Sequence, residues 1–108
     1  ADYISWARAG TNVPLVIAET GYSSHGLAGF LGTPELQTEY VRWILDQSQQ
    51  QQVEFVTWFF STDPRFVRAP PGINFINAFR YFGLVTPSFQ PKPGLTPWSE
   101  YLTLPFAP

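Results

Sequence analysis

Cysteine is absent from all 108 residues. That excludes disulfide cross-links and thiolate metal sites, and it leaves the compartment open, because larger secreted enzymes also manage without disulfides. Charge is scarce as well: 13% of residues carry one and the formal net charge is -2. No basic stripe is therefore expected to neutralise phosphates and release counterions, and nucleic acid is not expected as a partner. Long apolar runs are also missing. The most apolar stretches, around Leu15 and Val56, are strand-sized and fall well short of the roughly 20 residues needed to cross a bilayer, so no membrane span is expected. The opening residues ADYISWARAG lack a charged region followed by an apolar core, and any signal peptide is expected to be absent or removed. His25 is the only histidine, and no His/Asp/Glu cluster has ligand spacing, so neither a metal nor another cofactor is expected. Ser23 and Ser24 are not set in a nucleophile elbow, which disfavours serine hydrolysis.

What the chain does contain is core material: 44% of residues are apolar and 18% aromatic, enough to build a small globular unit. Most of its prolines lie after residue 60. Asp2 to Ala9 has Tyr3, Ile4, Trp6 and Ala7 near helical spacing, with Gly10 as a stop. Val13 to Ala18 is a nearly uninterrupted apolar run of strand length, as in a parallel strand buried on both faces, and it ends at Glu19-Thr20-Gly21.

After a Gly- and Ser-rich loop, Thr33-Pro34-Glu35 predicts a helix start: a capping hydroxyl, a proline suited to the first turn and an acid that complements the helix dipole. Leu36, Tyr40, Trp43, Ile44 and Gln47 then define one stripe expected to pack on a sheet, and the glutamines from Gln49 to Gln52 form a solvated end. Val53 to Phe60 predicts a second strand, closed by Ser61-Thr62-Asp63-Pro64. The stretch from Ile73 to Phe82 leaves room for a short helix, and a final helix begins near Thr96-Pro97 with Trp98, Tyr101 and Leu102 on its buried side.

Strand, helix and strand at this spacing indicate a βαβ unit in a parallel sheet. Two strands with one intervening helix leave the opposite sheet face wet, so such a unit needs more chain or further copies of itself. In a (β/α)8 barrel, catalytic groups sit at the C-terminal ends of strands. Glu19 has that position, on rigid backbone at the edge of a core. A retaining glycosidase needs two carboxyl groups about 5 to 5.5 Å apart, one nucleophilic and one protonating the leaving oxygen. Alternatively, Glu19 is an ordinary strand-end acid paired with Arg8 or Arg80.

The segments PLVIAETGY, TPELQTEYVRWIL, VEFVTWFFSTDP and FGLVTPSFQPKPGLTPWSEYL, in that order, resemble the last two βα units of the large clan of retaining glycoside hydrolases built on the (β/α)8 barrel. The resemblance spans nearly the whole chain. It implies an α/β fold, with residues 1–108 forming the C-terminal part of a TIM barrel: strands 7 and 8 with their helices. It also implies that Glu19, in Glu19-Thr20-Gly21, is the nucleophile, and that Trp58 is a sugar platform near the end of the eighth strand. Gly83-Leu84 and Lys92-Pro93 are similar to the tail of such barrels, and Tyr22 looks closest to the galactanase-like and β-1,3-glucanase-like branches. The partners implied are a carbohydrate substrate and the remainder of the barrel, in a secreted or extracytoplasmic enzyme.

Each further candidate has a plainer reading beside it. Trp58 stacks on a sugar or fills the core. Tyr22 hydrogen-bonds substrate or Glu19, or plugs the loop base. His25 donates to a sugar hydroxyl or is simply solvated, and Asp63 binds sugar, serves as a second catalytic carboxylate, or caps or closes a turn. The clan's acid/base glutamate follows an asparagine, and the chain has no Asn-Glu pair. The isolated chain is accordingly expected to be nearly inactive on unactivated glycosides, since the general-acid contribution of about 10² to 10⁴ is missing. The alternative function is a non-catalytic carbohydrate-binding or self-assembling barrel fragment.

Overall fold

The computed structural model describes residues 3–27, 29–72 and 74–105. Asp2 and Ile73, which the sequence reading assigns to the first helix and to the stretch before Phe82, lie outside the described residues. The chain runs through α1 (Tyr3–Ala9), β1 (Ile17–Thr20), α2 (Pro34–Gln50), β2 (Val56–Trp58), a 3-10 helix (Asn74–Tyr81) and α3 (Leu95–Leu102).

Helix α2 begins where the local chemistry directs. The Thr33 side chain accepts a hydrogen bond from the Leu36 amide at 3.1 Å, and Pro34 fills the first turn. At the other end, the Arg8 guanidinium of α1 donates to the carbonyls of Gln51 and Gln52, both at 2.9 Å. A cation bound where helix carbonyls lack partners suits the dipole and pins α1 to α2. Arg8 is thereby engaged away from Glu19, and among the described residues the Glu19 carboxylate has no ion-pair or hydrogen-bond partner.

β1 and β2 pair in parallel, as the helix between them requires. Both strands are shorter than expected: β1 takes only the C-terminal end of the Val13–Ala18 run and extends past it to Thr20, and β2 takes only the centre of Val53–Phe60. Ile17 faces Val56 and Thr20 faces Trp58, so three steps along β1 match two along β2. The extra residue is a bulge around Ala18 and Glu19. Because of it, Ile17 and Thr20 both turn toward the helices, while Ala18 and Glu19 are both exposed.

Helices α2 and α3 cover one face of this sheet. Their core consists of Val41, Ile44, Leu45, Trp58 and Leu84, with Ile17, Val56, Leu95, Trp98 and Tyr101 packed around it. On α2 the expected stripe is displaced by one residue. The buried face is Gln37, Val41, Ile44, Leu45 and Ser48, with Thr38 beside it, and Trp43 stays 44% exposed. Two polar residues can occupy that face because each finds a backbone acceptor: Ser48 bonds the Ile44 carbonyl at 2.6 Å, and Gln37 reaches the loops beyond both strands. On α3, Leu102 is exposed, and Leu95 packs with Trp98 and Tyr101 instead.

The opposite sheet face is uncovered, as expected for two strands and one crossover. Val16 and Phe55 are 42% and 53% exposed there, beside Ala18 and Thr57. The chain's accessible surface is 7419 Å², against roughly 6,100 Å² expected of a compact monomer of this mass. The radius of gyration, 15.1 Å, likewise exceeds the roughly 13 Å of a close-packed chain of this length. No helix among the described residues is long and apolar enough to cross a membrane.

Candidate functional site

The loops leaving β1 and β2 meet at one end of the sheet, and Glu19 stands at the start of this meeting point. The bulge carries its side chain out of the helix-facing register into solvent. Thr20 turns inward, its hydroxyl 2.6 Å from that of Tyr40 on α2. Gly21 is needed for packing: a Cβ there would sit 2.5 Å from the Phe82 ring. The Glu-Thr-Gly triplet therefore combines one exposed acid, one anchor and one close approach.

Beyond it, Tyr22 donates from its hydroxyl to the Leu31 carbonyl at 2.9 Å, and its ring stacks with Tyr40 at 5.2 Å. These contacts close the base of the 22–32 loop. Ser23 is fully buried; its hydroxyl donates to the His25 carbonyl at 2.8 Å and accepts from the His25 amide at 3.2 Å. His25 is exposed, with its ring 4.6 Å from that of Tyr81. The Ser24 amide bonds the Tyr81 carbonyl at 3.0 Å, so the loop after Glu19 lies directly on the end of the 3-10 helix.

Trp58 is 8% exposed. Its indole N–H donates to the Phe82 carbonyl at 2.7 Å, and its ring lies 5.8 Å from Trp98 and 6.2 Å from Tyr40. It therefore occupies the helix-covered side of β2, and Glu19 the open side of β1. Tyr22 and Trp58 are brought together through Tyr40, and neither of them is hydrogen-bonded to Glu19.

Asp63 is buried, and its Oδ1 accepts from the Lys92 ammonium at 2.7 Å and from the Gly83 amide at 2.9 Å. Lys92 also donates to the Ser24 hydroxyl at 2.9 Å and to the Tyr81 carbonyl at 3.3 Å. Burial pushes the Lys92 ammonium below its ordinary 10.5, and the hydrogen bond and charge of Asp63 oppose that shift. One lysine thus ties the loop after β1, the end of β2 and the 3-10 helix together. The Lys92-Pro93 and Gly83-Leu84 pairs were visible in the sequence, but their contact with Asp63 was not.

Gln37 is the other residue that sequence reasoning missed. It is fully buried, and its amide nitrogen lies 2.8 Å from the Tyr22 carbonyl, 3.1 Å from that of Gly83, 3.3 Å from that of Tyr81 and 3.4 Å from that of Phe82. No group of three or more potential metal ligands occurs among the described residues. An open groove of about 240 Å³, lined by residues such as Arg42, Asp46 and Glu100, belongs to the helix layer rather than to the strand ends.

The remaining acids among the described residues lie elsewhere. Glu35, Glu39 and Asp46 are on α2, Glu54 precedes β2 and Glu100 is on α3. At the C-terminal ends of the strands, then, the chain offers one free carboxylate, Glu19, and one that is neutralised internally, Asp63. No known protein family, curated protein or solved structure matches the chain.

Proposed function

We propose that the chain forms the C-terminal part of a retaining β-glycosidase barrel and supplies its nucleophile, Glu19. The observation that carries this reading is the bulge at the end of β1. It turns an unpartnered carboxylate to the uncovered face of a parallel, helix-connected strand pair. A nucleophile must stay free to reach an anomeric carbon. The ordered likeness of four segments to the last two βα units of the glycosidase clan supports the same reading. The acid/base group belongs to the rest of such a barrel, whose further strands would cover Val16 and Phe55.

The test uses an aryl 2-deoxy-2-fluoro glycoside with a dinitrophenolate leaving group, which departs without a proton donor. Labelling mapped to Glu19, and lost in Glu19→Gln, supports the assignment. Labelling of another carboxylate overturns it.

The surplus accessible area favours a second reading, a fragment that closes its sheet by self-association around a non-catalytic saccharide site. A monodisperse oligomer that binds oligosaccharide but takes up no label would favour this reading.

A further inference from the structure

The net charge of -2 conceals a segregation along the chain. No acidic residue occurs between Asp63 and Glu100, whereas Arg65, Arg68, Arg80 and Lys92 all fall in that interval. Lys92 is neutralised by Asp63. The three arginines are exposed and form no ion pair among the described residues. Arg65 donates through Nη2 to the Pro87 carbonyl at 3.1 Å, which steadies one edge of its guanidinium and leaves the rest to solvent. Arg68 and Arg80 have no hydrogen bond among the described residues.

All three lie on the connection from β2 to α3, which leaves the same end of the sheet as the loop after Glu19. Several contacts join that connection to the loop: the Ser24 amide and hydroxyl to the Tyr81 carbonyl, the Lys92 ammonium to the Ser24 hydroxyl, and the His25 ring on the Tyr81 ring. Arg80 directly precedes Tyr81. The Ala69 amide donates to Asn77 Oδ1 at 3.2 Å, which folds the stretch bearing Arg68 back on the 3-10 helix bearing Arg80. Within the same connection Phe66 and Phe75 are 78% and 71% exposed.

A guanidinium meets a carboxylate or sulfate through two parallel N–H···O bonds, a geometry that lysine cannot reproduce. Exposed phenyl faces complement the C–H side of a pyranose. Unpaired guanidinium groups interleaved with aromatic faces therefore suit sugars that carry negative charge better than neutral ones. We infer that the connection bearing Arg65, Arg68 and Arg80 binds an acidic saccharide, of uronic-acid or sulfated residues, beside Glu19. The inference rests on the glycosidase reading of that carboxylate and deepens it by naming the substrate class.

The test is titration calorimetry of the full chain with four probes: a short oligogalacturonide, a short sulfated oligosaccharide, a neutral gluco-oligosaccharide and a single-stranded oligonucleotide. The expected result is binding of one or both acidic saccharides, weakened by added salt. The triple variant R65Q/R68Q/R80Q should bind about ten-fold more weakly or worse. Because these side chains are exposed, the variant should keep its far-ultraviolet circular dichroism, and the single reversal Arg68→Glu should give a partial loss. Equal binding of the neutral oligosaccharide, equal binding of the oligonucleotide, or undiminished binding by the triple variant overturns the inference. Fluoro-glycoside labelling in the same preparations separates the two failures. Label on Glu19 with no preference for acidic sugars leaves the glycosidase reading standing alone. Arginine-dependent binding of acidic sugars without label supports the arginine site and removes that reading.

Discussion

The Lys92 ammonium lies 2.7 Å from the Asp63 carboxylate, with both side chains under a tenth exposed. The pair joins the end of β2 to the approach of α3 across 29 residues of sequence. Removing one partner strands the other charge away from water, and that costs more than the pair contributes. Lys92→Met is therefore expected to destabilise the chain by about 3–5 kcal/mol, and the double variant D63N/K92M to recover part of the loss. A urea-unfolding double-mutant cycle measures the coupling.

The same lysine gives the chain a pH dependence with a defined sign. An unfolded lysine holds its proton up to 10.5, and the buried one gives it up earlier. Between the folded value and 10.5, the unfolded state binds more protons, so Lys92's contribution to stability rises with pH in that window and levels off above it. The difference in unfolding free energy between the wild-type chain and Lys92→Met, followed from neutral to alkaline pH, should show this rise. A difference that falls with pH contradicts the placement of Lys92.

Gly83 is fixed by contact rather than by turn geometry. A Cβ on it would collide with the backbone at Thr62 and Asp63, and would lie 2.9 Å from the carboxylate oxygen that Lys92 uses. Gly83→Ala is expected to cost about 1–3 kcal/mol through overpacking, read from the shift in the urea midpoint. A larger loss would mean that the Lys92–Asp63 contact is broken as well.

Trp58 separates a core role from a sugar platform. Trp58→Phe removes the indole N–H and leaves the Phe82 carbonyl without that donor, for an expected cost of about 1–3 kcal/mol, with saccharide binding unchanged. Lost binding at unchanged stability would restore the platform.

The open sheet face predicts association. Exposed apolar area next to unpaired strand edges is a template for other chains. The variant V16T/F55T should lower the apparent mass in light scattering, with stability altered by no more than about 0.5 kcal/mol. An unchanged mass would show that these two side chains are not at the contact.

Features set by neighbouring residues were legible in the sequence. Thr33-Pro34-Glu35 starts a helix through chemistry contained within four residues, and Gly10 ends one. The parallel pairing followed from the length of the crossover. The buried face of α2 was displaced because positions 36, 40, 43, 44 and 47 and positions 37, 41, 44, 45 and 48 have the same helical spacing. Polarity favoured the first set, but Gln37 is paid for by carbonyls 15 to 46 residues away. The outward turn of Glu19 depends on a register mismatch with β2, and the burial of Asp63 on a lysine 29 residues downstream. Neither dependence leaves a local trace.

The Gln37 amide has two hydrogens and four carbonyls within reach, from Tyr22, Tyr81, Phe82 and Gly83. Two of those acceptors have other donors: Trp58 serves the Phe82 carbonyl, and Ser24 and Lys92 serve that of Tyr81. The two shortest contacts of the amide go one to each side, to Tyr22 on the loop after β1 and to Gly83 on the connection after β2, so one buried side chain of α2 holds both. Any change that displaces this one side chain therefore loosens both loops at once.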